Sequence, residues 1–193
     1  MTDAFDLGPA VDDAANVLLA APGVGNGADR LCGDLATADG DVPEHVVTVT
    51  IAGSPIESAK EWRDRLGPGP SVSSLAIDGM TRSAAAQSAP AIGAATIEYI
   101  DSSDTVQELG RRIAAKLDDE RETVVCFDSI TDLQECLGQE PTFEFLHALG
   151  SQVRATGATG YYYIDRTLHD EETMTLYSTL FDAVVETGNG TPE

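Results

Sequence analysis

The chain has 193 residues, with 33 acidic against 11 basic side chains and a formal net charge of -22. That length makes one domain the expectation, with core enough to need no disulfide staple, and three cysteines without paired spacing agree. The acids are spread between apolar segments rather than gathered in a tail, and the only lysines are Lys60 and Lys116, so no basic patch is there to meet a nucleic-acid backbone.

A surface this acidic repels itself in dilute buffer; at molar salt the screening length falls to about 3 Å and the repulsion is relieved. The composition points to a cell that keeps concentrated salt inside. No apolar run reaches the roughly 18 residues that a membrane span needs, and Met1 to Leu7 lacks the basic-then-apolar pattern of a signal peptide. A reducing, cytoplasmic setting is the expectation. No C-x-x-C, His pair or E-x-x-H spacing predicts a metal site.

Taken in chain order, Asn16 to Ala21 reads as a buried strand, Pro22 to Gly27 as a Gly-rich loop, and Ala28 to Thr37 as a helix. Val46 to Ile51 alternates Val and Thr as a second strand, and Ser54-Pro55 opens a helix to Leu66, ended by Pro68 and Pro70. Trp62 on that helix is either a partial core residue or an interface anchor. Val72 to Ile77 is a strand. Met80 to Ala94 carries one charge, Arg82, and reads as a loop with the character of a contact surface. Thr96 to Ile100 is a strand, and a helix capped at Asp104-Thr105 runs to Leu117 with Val106, Leu109, Ile113 and Leu117 on one face.

Thr123 to Phe127 is continuously β-branched and aromatic, the pattern of a central parallel strand, with Cys126 as a buried thiol. Asp128 ends it, and with Ser129 and Asp132 it is placed to cap the next helix. Two helical segments split near Pro141 follow, the second carrying Phe143, Leu146, Leu149 and Val153 on one stripe, with His147 expected in the core. Thr159 to Ile164 is a strand whose Tyr161, Tyr162 and Tyr163 alternate faces as core packing. His169-Asp170 has the composition of a catalytic dyad, but its place before a helix favours Asp170 as a cap. A helix from Asp170 to Leu180 and a short strand, Ala183 to Glu186, complete a three-layer α/β pattern: a mostly parallel sheet with helices on both faces.

The Gly-rich loop after the first strand gains meaning from the run T-V-V-C-F-D-S-I-T-D-L at Thr123 to Leu133. That run resembles the Walker B strand of KaiC-like RecA-superfamily P-loop ATPases. F-E-F-L-H-A-L-G-S-Q-V-R-A-T-G-A-T-G at Phe143 to Gly160 and L-F-D-A-V-V-E at Leu180 to Glu186 resemble the segments that follow in that family, especially its small divergent members from salt-loving archaea. The resemblance implies a RecA/KaiC-like fold. It also exposes what is missing. The family pattern places its phosphate lysine on Gly27 and its metal-holding hydroxyl on Ala28, with the last loop glycine on Asn26; sliding by one puts that glycine on Gly25 and restores neither. The Glu pair that orients water falls on Ala52 and Gly53. Asp128 alone matches, and capping is the reading taken for it over Mg²⁺ binding. Asp29 would set negative charge beside an incoming phosphate.

The expectation is therefore a non-enzymatic regulatory or assembly protein with a degenerate ATPase domain, associating with an active paralogue or with itself, and needing no cofactor. A divergent ATP-binding protein, weak ATPase or nucleotide sensor is the alternative; its residual anion site would be Gly25, Asn26, Gly27 and Asp128. A small-molecule module using the crevice at the strand ends is the third reading.

Overall fold

A computed structural model of the chain is described over residues 11, 13–23, 27–38, 40–78, 95–101, 106–117 and 119–187 and holds seven strands and six α-helices among them. The strands are β1 (Asn16–Ala21), β2 (His45–Thr50), β3 (Ser71–Asp78), β4 (Ala95–Asp101), β5 (Thr123–Asp128), β6 (Thr159–Asp165) and β7 (Ala183–Glu186). The helices are α1 (Gly27–Ala36), α2 (Pro55–Leu66), α3 (Val106–Ala114), α4 (Ile130–Leu137), α5 (Gln139–Ala155) and α6 (Glu171–Ser178).

The strands form one seven-stranded sheet in the order β4-β3-β2-β5-β6-β1-β7, every described pairing parallel. β5 lies between β2 and β6, the interior place that its uninterrupted apolar run requires. Alternation along the strands divides the core. Leu18, Val47, Val49, Val125, Phe127 and Tyr162 point to one face, where α3, α4, α5 and α6 pack through residues such as Leu109, Leu133, Leu146 and Tyr177. Val17, Leu19, Val46, Val124, Cys126 and Tyr161 point to the other, under Leu31, Cys32 and Leu35 of α1 and Ala59 and Trp62 of α2. The expected three layers are present.

The connections explain where a crevice must open. From β1 to β2 to β3 the chain moves toward the β4 edge over the α1–α2 face; from β4 to β5 to β6 to β7 it returns over the other face, as one hand of crossover demands. Adjacent strands β2 and β5 therefore send their chains to opposite faces, and so do β1 and β6. Chains parting in this way leave a gap at the carboxyl edge of the sheet.

Several expectations need correction. The split between α4 and α5 falls at Gly138, whose φ of 85° only glycine adopts readily, and not near Pro141. Pro141 sits instead in the first turn of α5, where its missing N–H breaks no helical bond. His147 is exposed rather than core, and Trp62 is fully buried at 1% exposure. α3 ends at Ala114, with Leu117 packing on the core beyond it. Met80 to Ala94 lies outside the described residues. Tyr161 and Tyr163 do share one face with Tyr162 on the other, and Tyr162 donates from its hydroxyl to Oδ1 of fully buried Asn16 at 2.9 Å. Among the described residues no helix is long and apolar enough to cross a membrane.

Candidate functional site

The gap at the carboxyl edge is a crevice of about 380 Å³. Gly23 after β1, Asp29 of α1, Thr50 at the end of β2, Ala52 and Gly53 in the bend beyond it, and Glu57 and Ser58 of α2 form one side. Asp128, Ser129, Thr131 and Asp132 around the end of β5, with Tyr163 and Asp165 of β6 and Leu168, form the other. Five carboxylates line it, and among the described residues no Lys or Arg does.

Asp29 sits in the first turn of α1 and is more than nine-tenths buried. Its Oδ1 accepts from Ser58 Oγ at 2.9 Å and Trp62 Nε1 at 3.0 Å, both on α2, with Cys126 Sγ of β5 at 3.9 Å. Burial raises its pKa against the pull of these donors. Asp29 is thus a buried tie between α1, α2 and β5, and its second oxygen has no donor among the described residues.

Asp128 extends from β5 on the same side as Cys126, two residues earlier, beneath α1. Its pKa is pushed up to about 7, first by burial, then by the charges of Asp29 and Asp132. No described donor bonds its carboxylate. Nor is it the helix cap expected of it. Ser129 caps α4, its Oγ accepting from Asp132 N at 3.1 Å, and the Ser129 hydroxyl in turn donates to the Asp132 carboxylate. The S-x-x-D box is Ser129 with Asp132, as the spacing offers, and Asp128 stands outside it.

Asp165, which sequence reasoning did not single out, closes the crevice below the loop. Burial acts to raise its pKa, but bonds from Thr167 (N at 2.9 Å, Oγ1 at 2.7 Å) and from the Gly23 amide outweigh this and hold it low. The carboxylate lies so close to Gly23 that a Cβ there would sit 2.1 Å from Oδ2. Gly23 is needed for close approach rather than for a positive φ. An amide at the start of the loop is therefore already paired with a carboxylate of the chain itself.

Of the predicted residual site, Gly25 and Asn26 lie outside the described residues. Gly27 is the exposed first residue of α1, with open space where a side chain would go, and Ala28 is buried. Ala52 and Gly53 line the crevice where the resemblance called for a Glu pair. His169 and Asp170 form no dyad: Asp170 caps α6, accepting from Thr173 N at 2.8 Å, while His169 Nε2 lies 2.9 Å from Thr131 Oγ1. Thr131 Oγ1 also accepts from the Asp165 amide, so its proton is free to go to His169. Among the described residues no group of acids, His and Cys is arranged to hold a metal ion.

A comparison with curated proteins gives no match. A family model matches residues 14–187, which take in every strand and helix above, and the chain belongs to the family described as "Family of unknown function (DUF7504)".

Proposed function

We propose that the chain is a degenerate KaiC/RecA-like domain that does not hydrolyse ATP and acts as a regulatory or assembly partner of another protein, an active paralogue or a second copy of itself. The observation that carries this is the sign of the crevice. Phosphoryl transfer depends on cations set around the phosphates. Here Asp29, Asp128, Asp132, Asp165 and Glu57 face the space, and among the described residues no basic side chain does. Asp165 also takes the Gly23 amide that an entering anion would need. The parting of β2 and β5, with Asp128 at the end of β5, supports the KaiC-like reading of the fold.

Calorimetry with ATP and Mg²⁺ at molar salt, with a phosphate-release assay, tests the first half. The expected result is no saturable heat and no release above background. Magnesium-dependent turnover that vanishes in Asp128→Ala overturns it. Light scattering together with co-purification from the native cell tests the second half, and a chain that stays monomeric and alone counts against association.

A further inference from the structure

Asp29 and Asp128 face one crevice from α1 and β5, and their surroundings are unequal. The Asp29 carboxylate has donors from Ser58, Trp62 and Cys126. The Asp128 carboxylate has none among the described residues. Asp29 is buried and Asp128 half-buried, and the charge of Asp29 acts on Asp128. Two carboxylates that share a crevice in this way do not both ionise readily; the one whose charge is solvated by donors ionises first, and the other keeps its proton.

We propose that Asp29 and Asp128 form an unequal carboxylate pair that holds one proton in mildly acidic medium, on Asp128, and releases it as the pH rises through neutrality. The crevice floor then presents one charge and one O–H donor below the transition and two charges above it. Whatever occupant enters, protein or small molecule, meets a floor whose charge changes by one unit close to neutrality. The inference goes beyond the proposed function and holds whether or not the chain associates.

The other groups facing Asp128 point the same way. From α1 comes Cys32, which burial keeps in the thiol form, and from β5 itself Cys126, raised by its neighbour Cys32 and by burial. Asp132 of α4 adds like charge. From β6 come Asp165, ionised, and Tyr163, pushed up to about 12 by burial and so neutral. Glu57 of α2 stands across the crevice. Behind the wall, Arg30 and Arg65 act on Glu61 and Arg65 on Cys32, but neither arginine lines the crevice. His169 reaches the site only through Thr131 and its influence on Asp165. Among the described residues no cation is thus placed to draw the proton from Asp128.

Side-chain carboxyl resonances of ¹³C-aspartate-labelled protein, followed from pH 4 to 9 at molar KCl, test the pair. The expected wild-type result is one carboxyl with a midpoint near neutrality, lost in Asp128→Asn. In Asp29→Asn, which keeps an Oδ1 acceptor for Ser58 and Trp62, the Asp128 midpoint should fall by about one pH unit. Crevice aspartates that all titrate below pH 5 in the wild type overturn the proposal. An Asp128 midpoint that is indifferent to Asp29→Asn overturns the pairing and leaves burial alone as the cause.

Discussion

Replacing Asp128 with Asn should change how stability depends on pH, and the sign follows from the direction of the shift. The folded state holds the Asp128 proton up to about pH 7, whereas an unfolded Asp releases it near 3.9. A raised carboxyl favours folding fully below the unfolded pKa, and that contribution is lost as pH rises through the folded one. Integrated from pH 5 to pH 8, the loss is about 2.5 kcal/mol. Burial is the largest cause, and molar salt leaves it in place; salt screens only the smaller parts from Asp29 and Asp132. The chain's many other acids have their own pH dependence, so the quantity to measure is the difference between wild type and variant. Urea denaturation of both proteins at molar KCl, at pH 5 and pH 8, supplies it. Asn cannot ionise, so the variant should gain on the wild type by about 2.5 kcal/mol between the two pH values, whatever fixed cost its unpaired amide adds. A difference that stays constant from pH 5 to pH 8 refutes the reasoning, because Asp128 would then be ionised throughout.

Stability should also rise steeply with KCl, because a net charge of -22 opposes compaction until it is screened; a melting temperature that is flat from low to molar salt removes that argument. Asn16→Leu takes the acceptor from the Tyr162 hydroxyl and the donor from the Gly150 carbonyl, both buried, and should cost roughly 2–5 kcal/mol by urea denaturation, with less than about 1 kcal/mol counting against it. Gly23→Ala drives a Cβ onto the Asp165 carboxylate and should cost about 1–3 kcal/mol, with Asp165→Ser recovering part of the loss; a double-mutant cycle with no coupling shows that the loop moves aside instead. Gly27→Lys has open space and should leave stability within about 1 kcal/mol, yet calorimetry should still register no ATP, since one lysine does not reverse five carboxylates.

What the sequence made legible was set by local pattern. The β-branched run at Thr123 to Phe127 could be placed inside a parallel sheet because only strands covered on both faces tolerate it, and β5 sits between β2 and β6. Alternation placed the three tyrosines on their faces, and Ser54 with Pro55 located the start of α2. Errors arose where two local signals competed. Pro141 and Gly138 are both breakers, but a proline is silent in a first turn while a positive φ ends a helix outright, so the glycine decides. Asp128 and Ser129 are both capping residues, and Ser129 takes the cap, leaving Asp128 with no donor among the described residues. His147 follows an apolar stripe in the sequence yet faces outward on α5. The site itself was hidden for another reason. The donors that distinguish Asp29 from Asp128 lie 29, 33 and 97 residues away, on α2 and β5. No window along the chain brings them together; the crossover geometry does. What stands at the positions that the KaiC-like resemblance assigns to a lysine, a hydroxyl and a Glu pair (Gly27, Ala28, Ala52 and Gly53) could be read from the chain position by position. The carboxylates that line the crevice, one tied to three donors, another with none among the described residues, and a third against Gly23, come together only once β1, β5 and β6 lie side by side, and it is this arrangement that makes the crevice acidic to its floor.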